Sequence, residues 1–174
     1  MYQEIYDNVE WYGSAKHKRC PGMRLISLYE TWLHYYVLDY GCGRGDVVEY
    51  LRSKGKNAYG YDIIKPEKDY CFSDFIQVYN KVEPSKASFL CIDVLEHLNK
   101  NNIRDVLEYA SMFKNQIISV HNKSSKCPLT GKELHITKKP FEWWVYELSH
   151  YLEIVKVDKI HDNQMLYKCK TRVK

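Results

Sequence analysis

A chain of 174 residues with a hydrophobic share of 45% is expected to fold as one globular domain with a sizeable core, and that share excludes a disordered chain. The net charge of +4 permits an anionic substrate without demanding nucleic acid. No apolar run is long enough to span a membrane, and Met1-Tyr2-Gln3-Glu4 lacks the basic start and apolar run of a secretory leader, so a cytoplasmic protein without a membrane partner is expected.

Residues 1–35 read as an arm and a helix. The arm holds Tyr6, Trp11, Tyr12 and the basic run Lys16-His17-Lys18-Arg19. Met23 to His34 has Leu25, Leu28, Tyr29, Trp32 and Leu33 at three- and four-residue spacing, which predicts an amphipathic helix with that stripe in the core. The apolar, β-prone Tyr36-Val37-Leu38 then ends on an acid, Asp39. A turn dense in glycine follows, with Gly41, Gly43 and Gly45, and a helix is expected from Asp46 to Lys54. Val47, Val48 and Leu51 should face inward, and Gly55 is a natural stop. Without a Cβ, such a loop lets the backbone approach a ligand closely, and the N–H groups of the first helical turn face the same spot. That suits a nucleotide-like ligand, although Gly-x-Gly-x-Gly is not the dinucleotide fingerprint.

Asn57 to Asp62 reads as the next strand. An acid at its end, shortly behind the glycine loop, has a clear use: its carboxylate can accept from both hydroxyls of a ribose. Tyr70-Cys71-Phe72 fits a short third strand, and Asp74 after it suits a helix N-cap. Ala87 to Ile92 is a near-continuous apolar run, as a buried parallel strand requires. Ile103, Val106, Leu107 and Ala110 mark the inner face of a helix over Ile103 to Phe113, and Gln116 to Val120 is the fifth strand, leading to His121. The loop from His121 to Lys139 sets Lys123, Lys126, Lys132, Lys138 and Lys139 against one acid, Glu133. This bias favours an anionic substrate; a solvated loop is the alternative. Phe141 to Leu152 is read as the last helix, with Phe141, Trp144, Val145 and Leu148 inside and Trp143 off that stripe, facing substrate. Leu152 to Val157 and Gln164 to Lys170 should close the sheet as an antiparallel pair turned at Asp162-Asn163. The six cysteines form no Cys-x-x-Cys pair, so reduced thiols are expected. No metal is expected either, because His121, Cys127 and His135 fit no common zinc spacing.

Val37-Leu38-Asp39-Tyr40-Gly41-Cys42-Gly43-Arg44-Gly45 resembles motif I of the class I S-adenosylmethionine (SAM)-dependent methyltransferases. Gly60-Tyr61-Asp62-Ile63 resembles their motif II, and Asp93-Val94-Leu95-Glu96-His97-Leu98 resembles the motif IV of a large subgroup. The three occur in order and span the cofactor half, roughly residues 36–98. The resemblance implies an α/β fold: a three-layer Rossmann-like sandwich with about seven strands, parallel except for one near the C-terminus.

It also implies a SAM site. Asp39 would help to hold the cofactor amino group, with Gly41, Cys42, Gly43 and Gly45 around its methionine end. Asp62 would hold the ribose, Ile63 and Asp74 would meet the adenine, and Asp93 and Val94 would line the methyl-donor pocket. By the same resemblance, Trp11, Tyr12 and His17 are candidates for a substrate lid; an arm packed on the domain edge is the alternative. Residues 121–139 would be the substrate loop, with His121 a substrate contact. If the acceptor must lose a proton, His97, His121 and His135 are the candidate bases, and a structural role for each is the alternative. Neither an Asn/Asp-Pro-Pro-Tyr motif nor a Pro-Cys nucleophile is present. The expected activity is methyl transfer from SAM to a small, anionic molecule; a nucleic-acid methyltransferase and an inactive SAM-binding partner subunit are the alternatives.

Overall fold

The computed structural model describes residues 21–64, 68–127 and 129–172. Seven strands lie in one sheet in the order β3-β2-β1-β4-β5-β7-β6. These are β1 (Tyr36–Tyr40), β2 (Asn57–Tyr61), β3 (Cys71–Phe72), β4 (Ala87–Ile92), β5 (Asn115–His121), β6 (Leu152–His161) and β7 (Gln164–Thr171). The pairs β1–β2, β2–β3 and β4–β5 are parallel, and β7 runs antiparallel to both β5 and β6. The helices are α1 (Pro21–Tyr29), α2 (Asp46–Ser53), α3 (Phe75–Tyr79), α4 (Lys100–Ala110) and α5 (Phe141–Ser149). The backbone divides into two compact units, the described residues up to Glu83 and those from Pro84 on.

In the first unit, Val37 and Leu38 of β1, Ala58 of β2, and Val48 and Leu51 of α2 are fully buried. Gly55, at φ 79°, ends α2 in the left-handed region that favours glycine. The Lys56 ammonium donates to the Leu33 carbonyl at 2.9 Å, and the Tyr50 hydroxyl donates to Glu30 at 3.1 Å. These bonds tie α2 and the turn after it to the segment that follows α1. The stripe expected on α1 is only partly right. Leu25 and Ile26 are buried, whereas Leu28 is 65% exposed. The helix ends at Tyr29 in a tighter 3-10 turn, Glu30–Trp32, so the 3.6-residue period does not carry through.

In the second unit, all residues of β4 except Ile92 are buried, as are Ile103, Val106, Leu107 and Ala110 of α4. Phe89, Tyr109 and Phe113 pack with ring centroids 5.1 to 5.9 Å apart. The inner face of α5 differs from the expected stripe: Trp144, Glu147 and Leu148 are buried, while Val145 is 38% exposed. Glu147 tolerates burial because the guanidinium of Arg104, on α4, donates to it at 3.2 Å. The hairpin β6–β7 turns at Asp162 and Asn163.

Candidate active site

The glycine loop sits at the carboxyl end of β1. Gly41, Gly43 and Gly45 have φ of 77°, 53° and 81°, values that L side chains rarely adopt. The N–H groups of Gly41 and Cys42 both donate to the Tyr61 carbonyl, at 2.7 and 3.0 Å, which ties the loop to the end of β2. Asp62, the next residue, is 6% exposed. Its carboxylate accepts from the Gly43 N–H at 2.8 Å and from the Ile64 N–H at 3.1 Å. The acid expected to hold a ribose therefore also shapes the loop. Ile63 beside it is 68% exposed.

Asp39 is buried, and its pKa is raised to about 7, first by burial and then by the Asp62 charge. Asp74 caps α3: its carboxylate accepts from the Ile76 N–H at 2.9 Å. Behind the loop lie two thiols. Cys42 and Cys71 are buried, and a hydrogen bond to Cys71, followed by burial, pushes the Cys42 thiol far up. Gly60 makes room for both, since a Cβ there would lie 2.6 Å from Cys42 Sγ and 2.8 Å from Cys71 Sγ. The sequence reading passed over this need; a glycine inside a strand was its one signal.

In the second unit, Asp93 follows β4 at φ 55°, a left-handed conformation uncommon for a residue with a side chain. Its carboxylate accepts from Ser119 Oγ at 2.6 Å and from Gln164 Nε2 at 2.9 and 3.0 Å, and lies 3.6 Å from His121 Nε2. Burial pushes its pKa up, but these partners outweigh it and hold the carboxyl below its usual value. Val94 opens the 3-10 turn Leu95–His97.

Glu96 is fully buried. Its Oε1 accepts from the His121 N–H at 2.9 Å, while Oε2 has no hydrogen-bond partner among the described residues. Burial, and then the Asp93 charge, raise its pKa well above the ordinary range.

His97 and His135 meet edge to face, with ring centroids 4.7 Å apart. His97 Nδ1 bonds the Leu134 carbonyl at 3.1 Å, and His135 Nδ1 bonds the Lys123 carbonyl at 2.6 Å. A carbonyl only accepts, so both Nδ1 atoms carry the proton and both Nε2 atoms keep a lone pair. Burial is the first cause that lowers both pKa values, to about 4 for His97. His121 stands 6.0 Å from His135, ring to ring. The three expected bases are thus gathered in one unit, at the turn after β4, the end of β5 and the loop beyond it. Glu96, His97 and His135 each bring a carboxylate or ring-nitrogen atom within 4.8 Å of the others, and Cys127 is not part of this group.

The expected substrate loop is built on Glu133. This carboxylate accepts from Ser124 Oγ, from the N–H groups of Ser125 at 2.8 Å and His135 at 3.1 Å, and from the Lys138 ammonium at 2.9 Å. Lys123, Lys126, Lys132 and Lys139 remain exposed. Trp143 is half-buried against Trp144. Trp11, Tyr12 and His17 lie outside the described residues. The five described cysteines, Cys42, Cys71, Cys91, Cys127 and Cys169, are buried free thiols. Among the described residues, no helix is long and apolar enough to cross a membrane.

A seven-stranded sheet with this strand order and one reversed strand, carrying a glycine loop after β1, is the Rossmann-like fold of the SAM-dependent methyltransferases. A 1,6-didemethyltoxoflavin-N1-methyltransferase from Burkholderia thailandensis, solved with 1,6-didemethyltoxoflavin and S-adenosylhomocysteine bound, superposes with a TM-score of 0.72 at 14% identity, over 98% of this chain and 86% of its own. A SAM-dependent methyltransferase from Archaeoglobus fulgidus gives 0.67 at 16% identity, over 98% of this chain and all of its own (100%). A chain of the Pnkp1/Rnl/Hen1 RNA repair complex gives 0.65 at 17% identity, over 97% of this chain and 47% of its own. At these identities the likeness is one of fold. No protein-family model matches the chain, and no curated protein matches it in sequence.

Proposed function

We propose that this protein transfers a methyl group from SAM to a small, anionic acceptor. The observation that carries the reading is the Asp62 carboxylate on the Gly43 N–H: a ribose-type acid and a glycine loop held as one piece, on a methyltransferase fold. The similar Burkholderia thailandensis enzyme, with its small-molecule ligand, supports the acceptor class. In this reading Gly41, Cys42, Gly43 and Gly45 surround the methionine end, Asp39 takes the amino group, and Asp62 the ribose. Ile63 and Asp74 flank the adenine, and Asp93 and Val94 line the donor pocket.

SAM supplies a methyl group already activated on a sulfonium. The chain's task is therefore to bind and align an acceptor, and much of the rate comes from that positioning. A base is needed only for an acceptor that must shed a proton. His97, His121 and His135 are the candidates, and the bonds from Nδ1–H to the Leu134 and Lys123 carbonyls fix the tautomer of His97 and His135 alike. The exposed Lys123, Lys126, Lys132 and Lys139 would meet the acceptor's negative charge.

A second reading, a nucleic-acid acceptor, is favoured by the likeness to a chain of an RNA repair complex. RNA binding that weakens steeply with salt would select it over a small molecule. For the cofactor, Asp62→Ala should weaken S-adenosylhomocysteine binding by roughly tenfold or more, since about 1.4 kcal/mol is one decade and a charged hydrogen bond is worth at least that. Calorimetry returning an unchanged dissociation constant would refute the cofactor assignment. Cofactor binding without turnover on metabolite or RNA pools would point instead to an inactive partner subunit.

A further inference from the structure

Holding SAM explains the glycine loop but not why a buried carboxylate and two buried imidazoles converge in the second unit. Glu96, His97 and His135 each offer one ligand atom, and all three atoms lie within 4.8 Å of one another. The surrounding bonds leave these residues as acceptors. Both Nδ1–H groups are committed to backbone carbonyls, so Nε2 is the nitrogen that each ring can offer as a ligand. Glu96 Oε1 is held by the His121 N–H, and the Glu96 carbonyl accepts from the Thr137 N–H at 2.9 Å, which leaves Oε2 without a partner among the described residues. A buried carboxylate oxygen and two imidazole nitrogens therefore stand close enough for one metal ion to draw on all three.

We propose that Glu96, His97 and His135 form a binding site for a divalent first-row transition-metal ion. Two imidazoles and one carboxylate suit zinc, manganese, iron or cobalt better than calcium or magnesium, which prefer oxygen ligands throughout. Ligand atoms 2.0–2.1 Å from zinc lie roughly 3.4 Å apart in a tetrahedron, so a small closure of the three side chains completes the set. The remaining pattern is that of a metal centre. Each ligating histidine donates its other nitrogen to a backbone carbonyl, which fixes the ring and the tautomer. The Asp93 carboxylate, held by Ser119 and Gln164, adds negative charge nearby that favours a cation. Three protein ligands leave at least one coordination position for water or a substrate oxygen, as reactive rather than purely structural metal sites do.

The site stands independently of the methyltransferase reading, and it is tested without SAM or acceptor. The full-length protein, stripped with chelator, is titrated separately with Zn2+, Mn2+ and Co2+ by calorimetry and by equilibrium dialysis with metal analysis. One equivalent should bind to the parent. Glu96→Gln and His135→Gln should each weaken binding about a hundredfold, and His150→Ala, a change at an exposed histidine outside the set, should leave it unchanged. Circular dichroism melts establish that the variants fold; if one does not, the cobalt spectrum of the parent decides. Visible bands without the intense near-ultraviolet absorption of a thiolate ligand support the site. A thiolate band, no stoichiometric binding of any of the three metals, or binding indifferent to both ligand substitutions would overturn it.

Discussion

Asp39 is a buried acid beside another acid, and its behaviour with pH follows from that placement. In the folded chain it keeps its proton up to about pH 7, first because burial penalises the charge and then because Asp62 repels it. In the unfolded chain an aspartate loses its proton near pH 4 (roughly 3.9). Between those values the folded state binds the extra proton, so Asp39 makes stability fall as pH rises, by up to about 4 kcal/mol in total, and the loss levels off above pH 7. Asp39→Asn removes this dependence. Thermal melts of the cofactor-free protein should show the variant gaining on the parent from pH 5 to pH 8; an equal offset at both pH values would contradict the assignment. Binding a cation at Asp39 would reverse the penalty, because the ionised carboxylate then has a partner. A cofactor ammonium should therefore bind more tightly as pH rises through 7, by up to tenfold per unit below it.

At the scale of elements, β2 shows how a strand serves a loop. Gly60 pairs in register with Asp39 on one side and Cys71 on the other, and its missing Cβ is the space that the two thiols fill. Gly60→Ala should cost about 1–3 kcal/mol, the usual penalty for an overfilled core, seen as a lower urea midpoint with an unchanged slope. Adding Cys71→Ala should recover part of that loss, because neighbouring changes couple. Elements with strong local signals were legible in the sequence: β1 with its glycine loop, Asp62, the apolar β4, the face of α4 and the closing hairpin. The misses occur where tertiary contacts override local pattern. Val145 yields its inner place to Glu147 because Arg104 is there to pair with it, and Leu28, within α1, is exposed while its neighbours Leu25 and Ile26 are buried. The capping role of Asp74 was readable from its position before a helix, whereas the hold of Asp62 on Gly43 was not. The Glu96, His97 and His135 set was invisible for a plainer reason: the Leu134 and Lys123 carbonyls that orient the rings come from a loop far along the chain, and no spacing rule encodes such a return.

Across the molecule, the sheet order ends in β3 and β6, and the two edges are guarded differently. The first is only two residues long. The second is long but carries irregular pairing between Ile154 and Lys156 and between Lys159 and His161, and ion pairs Lys156–Asp158 at 2.6 Å and Lys159–Asp162 at 2.8 Å. Short strands, bulges and edge lysines are what deter pairing with another chain. Replacing Lys156 and Lys159 together with Val, beside the already exposed Val155 and Val157, should raise the mass seen by light scattering at high concentration; an unchanged mass would mean the lysines are not the guard. The other strand of this hairpin reaches further than the edge. Gln164, at the start of β7, donates to both oxygens of Asp93, 71 positions earlier in the chain. A ribosome adding about 5–20 residues per second needs roughly 4 to 14 s to cover that interval. Through that time the nascent polypeptide has made Asp93 but not its clamp. The acid at the turn after β4 is therefore clamped only once β7 has followed it out of the ribosome, so this corner is completed well after the turn that carries it.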